Sequence, residues 1–63
     1  MKTEKYGSEI KAFRLRKGLT QSEFGKLFKP PASDIVVSRW ERGVNQPSPL
    51  RIIRLLELGV ISK

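Results

Sequence analysis

The stretch TQSEFGKLF, residues 20–28, followed after KPPA by SDIVVSRWERG, residues 33–43, decides how this chain is organised. Thr20 with Glu23 three residues later has the form of a capping box. The hydroxyl serves the backbone N–H of position 23, and the carboxylate reaches back to the N–H of position 20. Leu19 and Phe24 flank that box where a hydrophobic staple sits, and Phe24, Leu27 and Phe28 supply an apolar stripe. Pro30 and Pro31 end this helix, because proline disfavours helix at the residue before it. Ser33 and Asp34 then open a short helix running to about Arg42, with Asp34 placing negative charge at its amino end. Val37 and Trp40, at i and i+3, point the same way, and Gly43 closes it.

Two further helices flank this pair. The first runs from about Gly7 or Ser8 to Lys17, with Ser8 as its cap. Tyr6, Ile10, Phe13 and Lys17 lie along one side, and Gly18 is its stop. After a loop from Val44 to Pro47, Ser48 caps a fourth helix with Pro49 at its first position, where the missing N–H costs nothing. Leu50, Ile53 and Leu56 define its apolar side, Ile52 and Leu55 widen it, and Gly59 ends it. Val60 and Ile61 are expected to fold back onto the core, with too few residues left for a full fifth helix. Two short helices joined tightly and packed under one aromatic residue form a helix-turn-helix unit, here about residues 20–43. The expected fold is all-α, a compact four- to five-helix domain occupying residues 1–63 as one unit.

Composition narrows the function. Sixty-three residues supply one small core, and the absence of Cys and His removes disulfides, thiolate sites and the commonest acid–base and metal-binding side chain. The acidic residues are scattered and no glycine-rich phosphate loop is present, so an enzyme is not expected, and neither is a cofactor or metal. Thirteen Lys and Arg against six Asp and Glu give a net charge of +7, which favours polyanions, nucleic acid before anionic membrane. Basic residues spread over several helices instead of one amphipathic face speak against a membrane surface. No apolar run approaches the roughly 20 residues of a span and no signal-peptide pattern opens the chain, so a cytoplasmic protein is expected.

The stretch GLTQSEFGKLF, then VSRWERG, then a loop ending in QPS resembles the phage-repressor (Cro-like) helix-turn-helix family, the lambda-repressor-like type, over about residues 10–60. The small regulators of phages and mobile elements are the nearest in kind. The resemblance implies that Gln21 grips a backbone phosphate from a helix amino end and that Arg42, by the Gly43 turn, contacts another. It implies a partly buried ion pair between Arg14 and Glu41, a small residue at Gly25 because the third helix crosses nearby, and Trp40 as the anchor of the recognition helix. Base readers in the family come from the start of the third helix and one further turn. Here those places hold Ser33, Asp34, Ile35, Val36, Ser38 and Arg39. Arg39 is the strongest of them, since a guanidinium bonds a guanine edge bidentately. Lys2, Lys5, Lys11, Arg16 and Lys17 add a diffuse electrostatic footprint.

Three departures from the family stand out. The connection from Phe28 to Ser33 is about two residues longer than the family norm and carries two prolines. Asp34 faces the place where phosphates lie, beside apolar Ile35 and Val36. The usual fifth helix, which often helps pair subunits, is missing or vestigial. The leading expectation is a sequence-specific transcriptional regulator on double-stranded operator DNA, where useful specificity calls for a homodimer on half-sites. The alternative is an antirepressor or modulator whose same helix docks on a phage repressor protein. Ile35 and Val36 serve either reading, as readers of thymine methyls or as the centre of a protein interface.

Overall fold

A computed structural model describes the backbone of residues 2–61 and the side chains of residues 6–61. Four helices follow one another: α1 (Lys2–Lys17), α2 (Gln21–Gly25), α3 (Asp34–Arg42) and α4 (Pro49–Leu58). The domain is all-α, as expected from its pattern of caps and periods. None of these helices is long and apolar enough to cross a membrane.

The core is a row of aromatic rings set edge to face. Phe13 of α1 meets Phe24 of α2 with centroids 6.0 Å apart, Phe24 meets Phe28 at 5.5 Å, and Phe28 meets Trp40 of α3 at 5.4 Å. Such pairs add about 0.5–1.5 kcal/mol each beyond the area they bury. Ile10, Val37 and Leu55 close the row from three helices, and Val60 and Ile61 fold back against it.

The capping box at Thr20 is complete. Its hydroxyl accepts from Glu23 N–H at 3.0 Å, and its own N–H donates to Glu23 Oε1 at 2.9 Å. Ser33 caps α3 in the same way, its Oγ accepting from Val36 N–H at 3.2 Å. Gly43, in the left-handed region at φ 77°, closes α3 with paired bonds from Val44 N–H to the Arg39 carbonyl and Gly43 N–H to the Trp40 carbonyl. The ends of α1 and α4 repeat that pairing.

Four expectations need correction. Helix α1 begins at Lys2, so Ser8 is not its cap but an interior residue. Gly7 is buried within it, and a β-carbon there would lie 2.6 Å from the Trp40 carbonyl oxygen and 2.8 Å from that of Glu41. A glycine that looks like a boundary is instead the place where α1 crosses α3. Helix α2 stops at Gly25, not at the prolines, and residues 26–28 tighten into turns with Leu27 N–H on the Phe24 carbonyl and Phe28 N–H on that of Gly25. In α4 the inward side is Leu55 with Ile52, Leu56 and Leu58, while Leu50 is 79% and Ile53 51% exposed. Ser48 occupies the cap position of α4 by its extended backbone, and its carbonyl accepts from Ile52 N–H at 2.8 Å, but its hydroxyl makes no cap bond.

Candidate nucleic-acid interface

Helix α3 is held from behind. Val37 is fully buried, Trp40 nearly so, and Val36 half-buried against the same core. At roughly 100° per residue, these three cover one side of the helix. Asp34, Ile35, Ser38, Arg39 and Arg42 then fall within an arc of roughly 140° on the opposite side. Asp34, Ile35, Arg39 and Arg42 are exposed and Ser38 is half-buried. Among the described residues, Arg39 and Arg42 have no ion-pair partner. Their guanidiniums are therefore presented, not spent, on the outer side of the helix.

The structure separates the two β-branched residues that the sequence placed together. Ile35 is 59% exposed and stands among the polar residues of the outer arc, whereas Val36 leans into the core. Ser33 also lies at the tip of α3, with its hydroxyl engaged in capping.

One carboxylate locks the frame beneath this arc. Glu41, its side chain 6% exposed, accepts Arg14 Nε on Oε2 at 2.7 Å and Arg14 Nη2 on Oε1 at 3.1 Å. Arg14 Nη1 also donates to the Leu19 carbonyl at 3.1 Å. The hydrogen bond to Glu41 raises the Arg14 pKa further above the ordinary arginine range, against the opposing effect of burial. Gln21 Nε2 donates to Glu41 Oε1 at 3.2 Å, so α1, α2 and α3 share a single acceptor. The part Gln21 plays here was not visible in the sequence. Its position beside the capping box announces only that its side chain emerges at the start of α2.

Two arginines of α4, also missed in the sequence, fasten the proline connection. Arg54 Nε donates to the Leu27 carbonyl at 2.9 Å, and Arg51 Nη1 to the Pro30 carbonyl at 2.8 Å. The Arg51 guanidinium also lies 5.5 Å from the Phe28 ring centroid and 5.9 Å from that of Trp40. On the inner side, a β-carbon at Gly25 would run into the Ala32 carbonyl, while Ala32 N–H donates to the Gly25 carbonyl at 2.9 Å. The small residue is therefore required by the connection entering α3, with Val37 next in line at 3.5 Å. Of the basic footprint, Lys11, Arg16 and Lys17 are exposed on α1, the last two over the Phe13 ring, whereas the side chains of Lys2 and Lys5 lie outside the described residues.

A short second helix, a glycine-tightened connection and a third helix with a presented polar arc make this a helix-turn-helix protein. The Cro/C1-type helix-turn-helix family model matches residues 10–58, most of the chain, and the chain belongs to that family. The family is one of DNA-binding regulatory domains and not of enzymes. No curated protein and no solved structure matches the chain.

Proposed function

We propose that this protein is a sequence-specific transcriptional regulator of the small phage or mobile-element kind, a single domain over residues 1–63 that reads operator DNA in the cytoplasm. Helix α3 enters the major groove with Arg39 on base edges, Ser38, Asp34 and Ser33 beside it, and Ile35 against thymine methyls. Val36, leaning inward, contributes more to seating the tip than to contact. Arg42 takes a phosphate. Gln21 takes another, since an amide nitrogen carries two hydrogens and the bond to Glu41 uses one. The observation that carries the reading is the outer arc of α3, with two arginines free of ion pairs among the described residues, on a frame fixed by Trp40 and Glu41. A module this small reads few base pairs, so operator selectivity calls for two copies on half-sites about 34–36 Å apart.

The test is titration against duplexes from the protein's own regulatory region over a series of salt concentrations. A direct reader shows steep salt dependence and sequence preference, and Arg39→Ala relaxes the preference. A second reading, supported by the 59% exposure of Ile35 on the same arc, is a modulator that docks α3 on another helix-turn-helix repressor. In that case DNA binding is weak and indiscriminate, and Ile35→Asp abolishes association with the repressor. Val36→Asp is a poorer probe, because the side chain packs against the core.

A further inference from the structure

We infer that Arg51 of α4 is a positioning residue for base reading, fixing the angle at which the proline connection delivers the tip of α3; this rests on the DNA-reading role proposed above. The need for it begins with missing donors. Were α2 to continue, the carbonyls of Lys26 and Leu27 would accept the N–H groups of residues 30 and 31. Both are proline and have none. Helix α2 stops at Gly25, and Arg54 of α4 gives the Leu27 carbonyl the donor that Pro31 lacks, while Arg51, one turn earlier on α4, reaches further along the connection to the Pro30 carbonyl.

Arg51 acts on the connection itself. Its bond to the Pro30 carbonyl holds the chain three residues before the Ser33 cap, and its guanidinium lies over the rings of both Phe28 and Trp40. One guanidinium therefore ties the connection, the turn after α2 and the inner anchor of α3 to α4. From the other side, the close approach of Gly25 to Ala32 gives the connection a floor. Lysine keeps the charge but is a compact point donor without the spread of a guanidinium, and does not reach the carbonyl and both rings together.

The experiment selects a preferred duplex from a randomised pool with the unaltered protein. It then measures affinity for that duplex and a scrambled one, across salt, for Arg51→Lys and Arg51→Ala. Backbone amide shifts of residues 32–37 are recorded without DNA. The expected result is a loss of about tenfold in the ratio of the two affinities, as for one misaligned bidentate base contact. The salt slope stays constant, and the amides of 32–37 shift before DNA is added. An unchanged ratio overturns the inference. So does equal weakening on both duplexes with a shallower slope, which makes Arg51 a phosphate contact. If Arg51→Ala fails to fold, Arg51→Lys decides. If the unaltered protein selects no sequence, the DNA-reading role falls, and the amide shifts alone judge the positioning: changes confined to residues 50–52 overturn it.

Discussion

Arg39 and Arg42 stand a turn apart on the same arc, yet truncating them is expected to do different things. Arg39→Ala should lower discrimination between the preferred and an altered duplex by about 1–3 kcal/mol with little change in salt slope. Arg42→Ala should weaken all duplexes alike and reduce the slope by about 1, and equilibrium binding at several salt concentrations separates the two outcomes. At Glu41 the consequence is stability. Glu41→Ala removes the acceptor of a part-buried arginine and is expected to cost about 1–3 kcal/mol in urea or thermal unfolding. Because the folded pKa of Arg14 is raised, its share of that stability is complete below the ordinary arginine range and is lost only as pH rises through the raised value. The arginine half of the pair is therefore insensitive to acid.

Among the elements, α3 was the most legible in the sequence, since Ser33, Val37, Trp40 and Gly43 each carry a separate local signal for its start, inner side and end. What escaped was governed by contacts between elements. Gly7 has the composition of a boundary, and only the passage of α3 over it explains a glycine inside α1. Leu50 and Ile53 fit the helical period of α4 as well as Leu55 does, but periodicity cannot say which of two apolar faces meets the core. The roles of Arg51 and Arg54 depend on carbonyls more than twenty residues away. Thr20→Ala, which removes the hydroxyl half of the box, should cost about 0.5–2 kcal/mol. Gly25→Ala should cost more, about 1–3 kcal/mol from overpacking, and shift the amides from Ala32 into α3, measurable by unfolding and by NMR.

For the molecule as a whole, a charge of +7 on 63 residues guarantees attraction to DNA of any sequence, so affinity alone is a weak witness to function. The informative quantity is the ratio of specific to non-specific binding at fixed salt. That ratio should be small for one copy and rise on duplexes carrying two half-sites in phase, a gain to be checked by varying their spacing. The carboxylate shared by Arg14 and Gln21 has a consequence for motion. With three helices fastened at one point, parting α1 from α3 leaves Glu41 without its cation, and parting α2 takes away its amide donor. Hydrogen–deuterium exchange should therefore find α1, α2 and α3 opening in a single event, the outer arc of α3 rising and falling with the whole domain rather than as a mobile finger.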